Sequence, residues 1–187
     1  MFGKVREAFN RYNTMNKVFL YFLFELFCCT SITCLAQRKV ETQAYDLMLQ
    51  RLLKHDVKEC TVSQADSLRR NKNVVFIDTR EQKEYTVSHL PNAVWVGYND
   101  FDTNRLYGIS KDTEIIAYCS VGARSEHIVR QLRALGYSNL SNMYGSIFEW
   151  VNQGLPIVDQ YGNPTNKVHA YNKVWGIWLI KGEKVYD

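Results

Sequence analysis

The stretch Ile115-Ile116-Ala117-Tyr118-Cys119-Ser120-Val121-Gly122-Ala123-Arg124-Ser125 decides the fold. Its apolar opening, Ile115 to Tyr118, reads as a short buried strand. Beyond Ser125, Ile128, Val129, Leu132 and Leu135 recur at helical spacing, and Gly136 is placed to end that helix. Cys119 therefore sits where a strand stops and a helix starts, among backbone N–H groups that have no helical partner. Such a place favours negative charge. It lowers a thiol pKa from about 8.5 into a range of roughly 3.5 to 7.5, so that thiolate is present at neutral pH. Gly122 allows a tight curl, and Arg124 sets a fixed cation beside the sulfur. The pattern describes a nucleophile facing an anionic substrate, inside a loop made by Ser120, Val121, Gly122, Ala123 and Ser125. The alternative is that Cys119 is a small buried hydrophobe, in which case neither the glycine nor the arginine is needed.

Working outward, Val74-Val75-Phe76-Ile77 is a continuous apolar run, the pattern of a parallel strand covered on both faces. Cys60-Thr61-Val62 reads as a shorter strand, and Ser63 with Asp66 resembles a capping box opening a helix toward Arg70. A helix over Glu81 to Ser88, a strand at Val94-Trp95-Val96 and a last strand within Tyr137 to Met143 continue the alternation, which argues an α/β fold. Gly97 to Thr113 is a loop with one helical turn, whose aromatics either cap the core or rim a pocket. Asp78 and Arg80 follow the carboxyl end of a strand, the edge where ligands sit in open α/β sheets. They either touch substrate or brace the loop through a charge-assisted pair, and bracing is the reading taken.

At these residues the chain resembles the single-domain rhodaneses, sulfurtransferases whose active loop often reads C-x-x-G-x-R-S, as Cys119 to Ser125 do here. Asp78, Arg80, Glu84, Tyr85, His89, Pro91 and Ala93 match a first flanking signature, D-x-R-x-x-x-E-[YF]-x-x-x-H-I-P-x-A. Gly145 and Trp150 match a second, G-G-x-x-x-W, with Ser146 in place of the second glycine. The resemblance covers about residues 57 to 158. It implies a five-stranded, mostly parallel sheet with helices on both faces, and transfer of a sulfane sulfur through a Cys119 persulfide. It further implies that Arg124 binds the donor's anionic oxygens while loop N–H groups from Ser120 to Ser125 stabilise the sulfur, with Asp78 and Arg80 supporting. His89 is structural by the same resemblance. No cofactor and no metal are called for. The partners implied are a small anionic donor such as thiosulfate and a thiol or cyanide acceptor, with a protein acceptor possible. Two rivals stay open: a non-catalytic binding or sulfur-carrier module on the same fold, and a phosphatase. Phosphatases of this fold use C-x5-R, and here Ser125 stands where their arginine would.

The flanks set the boundaries. With 187 residues and a formal charge of +4 without a block of like charges, the chain suits one domain and no nucleic-acid partner. Residues 1–36 read as a signal peptide, with a possible start at Met15, an apolar run from Val18 and cleavage after Ala36. This predicts a periplasmic or secreted protein, the alternative being a membrane anchor left uncleaved. Of the cysteines beyond that segment, Cys60 reads as a core residue, with a Cys60–Cys119 disulfide the lesser alternative. Residues 37–56 should hold an amphipathic helix capped by Thr42, residues 57–160 the domain, and residues 161–187 an aromatic extension folded back on it with buried tryptophans. A docking strip is the other reading of that tail.

Overall fold

The computed structural model describes residues 40–187, so the proposed signal segment 1–36 and the start at Met15 lie outside the described residues. In chain order the elements are α1 (Gln43–Leu52), β1 (Glu59–Cys60), α2 (Val62–Leu68), β2 (Val74–Asp78), α3 (Gln82–Val87), β3 (Val94–Trp95), a 3-10 turn (Thr103–Leu106), β4 (Glu114–Tyr118), α4 (Ala123–Ala134), β5 (Leu140–Met143) and α5 (Ser146–Asn152). Five strands form one sheet in the order β1-β5-β4-β2-β3, every pair parallel.

Side chains alternate across a strand, and here both sides are buried. Phe76, Ile116, Tyr118 and Met143 face a core completed by Tyr45 and Leu49 of α1, Val62 and Ala65 of α2, and Ile147, Phe148, Trp150 and Val151 of α5. Ile77, Ile115, Ala117 and Leu140 face the opposite core, filled by Ile128, Val129 and Leu132 of α4 together with Val96 and Leu106. The apolar runs of β2 and β4 follow from that position: a strand packed on both sides has no solvent face to carry polar residues.

Two local expectations change. The cap of α2 is Thr61, whose hydroxyl accepts from the Gln64 N–H at 3.2 Å while the Gln64 side chain accepts from the Thr61 N–H at 2.9 Å. Strand β1 ends at Cys60, so Val62 is already helical and buried. Ser63 and Asp66 thus fall inside the helix, where Asp66 pairs with Arg69. The tail is also less buried than expected. After β6 (Ile157–Val158) at the end of the domain, it forms β7 (Pro164–Thr165), β8 (Lys167–His169), a 3-10 turn (Trp175–Trp178) and β9 (Glu183–Val185), with Val168, Ala170 and Leu179 in the first core. In a turn with three residues per revolution Trp175 and Trp178 share one face and Val174 and Ile177 another. The tryptophans are half-buried, Trp178 stacking on Tyr45 with ring centroids 5.4 Å apart, while Val174 and Ile177 are exposed. Asn152 fastens the turn, donating to the Trp178 carbonyl at 2.9 Å and accepting from the Ile180 N–H at 2.7 Å.

The end of β2 is braced from within. Arg80 and Asp78 are fully buried and pair through Nη2 and Oδ2 at 2.6 Å, and the same Nη2 donates to the Ser88 carbonyl at 2.6 Å. Breaking a buried pair leaves an uncompensated charge, which costs about 3–5 kcal/mol. Asp78→Ala should therefore lose about that much in urea denaturation; a loss below about 1 kcal/mol would show that the pair does not brace the loop.

Candidate active site

Cys119 follows β4 directly, and the loop to α4 turns back over its sulfur. Gly122 takes φ +124°, a left-handed conformation costly for a residue with a Cβ, and so turns its N–H onto Cys119 Sγ at 3.1 Å. The loop carbonyls point the other way. Those of Cys119 and Ser120 accept the Ile147 and Phe148 N–H groups at 3.1 Å each, satisfying the first turn of α5. The Gly122 carbonyl accepts from Asn142 Nδ2 at 3.1 Å, and the Ser125 hydroxyl donates to Asn142 Oδ1 at 2.7 Å. With its acceptors engaged elsewhere, the loop presents donors to the sulfur. Burial pushes the Cys119 thiol up, but the Arg124 charge and hydrogen bonds from Ser125 and Gly122 outweigh it and hold the thiol below its ordinary value. Cys60 is the opposite case, pushed up to about 12 by burial, and both cysteines are free.

Arg124, read from the sequence as a fixed cation beside the sulfur, is held by Glu84. Its Nη1 and Nη2 donate to the two oxygens of Glu84 at 2.6 and 2.8 Å, and Nη2 also donates to Ser120 Oγ at 2.9 Å. Ser120 in turn donates to Glu84 Oε1 at 3.1 Å, and the Glu81 N–H donates to Oε2 at 3.0 Å. The acceptor capacity of a carboxylate is thereby filled. Glu84 is 0% exposed, yet burial is overcome by the Arg124 contact and its carboxyl is held below the usual range. Sequence reading put Glu84 in a signature and gave it no task; its distance of 40 residues from Arg124 along the chain hid the pairing. Arg124 also lies between two rings, with its Cζ 5.3 Å from the Tyr171 centroid and 6.0 Å from that of Tyr98.

Cys119 forms the floor of a pocket of about 160 Å³ lined by Leu52, Ser120, Val121, Ala123, Arg124, Tyr171 and Trp175. Asp78 and Arg80 do not line it. Of the loop residues singled out from sequence, Gly122 donates its N–H to the sulfur, and Ser125 at the start of α4 also favours the thiolate. Leu52, Tyr171 and Trp175 were not foreseen, because they come from segments with no motif. Among the described residues no group of three or more His, Cys, Asp or Glu side chains is placed to hold a metal ion.

Ser146 departs from the second signature, which has glycine there. Its φ is +52°, following Gly145 at +79°, so the serine occupies a left-handed position that glycine adopts without strain. The strain there is about 1–2 kcal/mol. Set against it, Ser146 Oγ accepts the buried Cys119 N–H at 3.1 Å and donates to the Met143 carbonyl at 3.0 Å. Ser146→Ala keeps the strain and strands the Cys119 N–H, costing about 1–3 kcal/mol. Ser146→Gly strands it too but relieves the strain, so in chemical denaturation the alanine variant should be the less stable by about 1 kcal/mol. Equal stability of the two would contradict this account of Ser146.

Three comparisons place the chain. Residues 61–153 match the Rhodanese-like domain family. A sulfurtransferase of Allochromatium vinosum is 32% identical over 91 residues, which are 49% of this chain and 84% of that protein. The thiosulfate:glutathione sulfurtransferase of Saccharomyces cerevisiae is 33% identical over 44% of this chain and 68% of its own length. Similar domains also occur as a smaller part of longer proteins, such as a tRNA uridine(34) hydroxylase of Erwinia tasmaniensis, of which the match covers 26%. The solution structure of a rhodanese-like domain from Anabaena superposes with a TM-score of 0.51 at 18% identity, covering 54% of this chain and 78% of that one. The strand order, the loop closed over Cys119 and these matches together make the chain a member of the rhodanese-like family.

Proposed function

We propose that the protein is a sulfurtransferase in which Cys119 carries the sulfur. The observation that supports this most directly is the N–H of Gly122 on Cys119 Sγ at 3.1 Å, in a loop whose charge holds the thiol down. A thiolate attacks the terminal sulfur of thiosulfate, the S–S bond breaks and sulfite leaves with the electron pair. Cys119 is left as a persulfide anion, so the total charge is unchanged. The donors that steadied the thiolate then lie beside the anionic persulfide, and a thiol or cyanide removes its outer sulfur. Arg124 stays fixed by Glu84 throughout, acting as a positioned charge at the loop end.

The loop also bears on the phosphatase alternative. A phosphoryl group needs a cation free to clasp its oxygens. Arg124 already gives two donors to Glu84, and the next residue is Ser125, whose hydroxyl is engaged with Asn142.

Incubation with thiosulfate followed by intact-mass analysis should add one sulfur atom to Cys119, and cyanide should remove it as thiocyanate. Cys119→Ser should abolish both steps. Hydrolysis of an aryl phosphate with no sulfur added would contradict the reading; neither reaction would favour a binding module.

A further inference from the structure

The pocket above Cys119 is only partly built by the family domain. The matched region ends at residue 153, but Tyr171 and Trp175 come from the C-terminal extension and Leu52 from the end of α1. Segments on either side of the domain thus converge on one mouth. Each is fastened there. The Lys54 and His55 N–H groups, just past α1, donate to the buried carboxylate of Glu126 at 3.0 and 2.8 Å. The Tyr171 backbone is held at φ +63°, with its N–H donating to His169 Nδ1 at 3.1 Å. Strained tyrosine backbone persists where its surroundings over-determine it, as at ligand clamps. Trp175 is set by its own N–H donating to Asn172 Oδ1 at 3.0 Å. The next residue is Gly176, where a Cβ would come within 2.6 Å of the Tyr186 hydroxyl.

The chemistry of that mouth is apolar. Leu52, Val121, Ala123, Tyr171 and Trp175 surround the approach to the sulfur, and the cation present, Arg124, is matched by Glu84. Thiosulfate would bring a highly charged sulfonate against these walls, and burying polar groups without partners is unfavourable. A carbon substituent would gain from the same burial. A dry apolar cavity of about 150 Å³ accepts a benzene ring, and the space over Cys119 is about 160 Å³.

We infer that Tyr171, Trp175 and Leu52 form a specificity wall selecting sulfane-sulfur donors that carry an organic group of about one ring, of the thiosulfonate class R–SO2–S⁻. This rests on the sulfurtransferase reading and names its substrate class. The Cys119 thiolate attacks the terminal sulfur, the S–S bond breaks, and the sulfinate R–SO2⁻ leaves with the bonding pair. One anion and one thiolate become one sulfinate and one persulfide anion, and neither an oxidant nor a reductant is consumed.

The test compares benzenethiosulfonate with methanethiosulfonate, which share the reacting bond and the charge and differ in the ring. For the full chain, kcat/KM with cyanide as acceptor is measured for each, and the ratio is divided by that for a free thiol in solution. The corrected ratio should be about tenfold in favour of the ring. It should fall to about a third of that or less in both Trp175→Ala and Tyr171→Ala, as the ring loses its walls. Both donors report on the same folded fraction, so partial unfolding leaves the ratio untouched; should Trp175→Ala not fold, Trp175→Leu replaces it. A corrected ratio below about threefold, or one that survives both substitutions, overturns the inference while sulfur transfer stands. If neither these donors nor thiosulfate adds sulfur to Cys119, the sulfurtransferase reading falls and the inference with it.

Discussion

Glu84 and Arg124 meet across 40 residues of chain, and the active loop takes its shape from that contact. The carboxylate is wholly buried and the guanidinium side chain is 17% exposed, so neither charge could be left there alone. Desolvating an ion costs several kcal/mol, which is offset when the pair is bidentate and its remaining sites are filled. Here the remaining sites are filled by Ser120 and the Glu81 N–H. The arrangement fastens α3 to the start of α4 and fixes where the loop between β4 and α4 can run. The positive charge felt by the sulfur is consequently a property of the fold more than of a mobile side chain.

A second buried pair, Asp78 with Arg80, holds the neighbouring strand end in the same way. The two pairs divide the work by position. Asp78–Arg80 is tied to the Ser88 carbonyl and thus to the far end of α3, while Glu84 holds Arg124, which lines the pocket. Both depend on α3, whose six residues join the end of β2 to the loop before β3. The one buried residue of this short helix is Glu84, so its inward anchor is a charge.

The central sheet was legible because β2 and β4 are uninterrupted apolar runs, which a strand covered on both faces requires. The floor of the site was legible for a related reason: a cysteine, a glycine and an arginine at fixed spacing between strand and helix leave few conformations that satisfy all three. What stayed hidden was long-range. Glu84 was in plain view as a motif residue, yet its partner is decided by how α3 packs on α4. Ser146 shows in the sequence only as a departure from the second signature, and the backbone reveals the left-handed angle that its hydroxyl offsets. Tyr171 and Trp175 lie in a tail whose apolar content says that it packs, without saying where. Their place over Cys119 follows from Asn152, Asn172 and Gly176 fastening a single 3-10 turn.

All of this rests on the claim that fixed charge and loop donors overcome burial and keep Cys119 ionised. The rate of alkylation at Cys119, followed by peptide mass spectrometry across pH, measures that directly, with Cys60 as an unreactive reference because burial pushes its thiol up to about 12. The account requires the Cys119 midpoint to lie below the ordinary thiol value of about 8.5, and to rise when Arg124→Met removes the charge. A midpoint at or above that value in the intact protein, or one that Arg124→Met leaves in place, would contradict it.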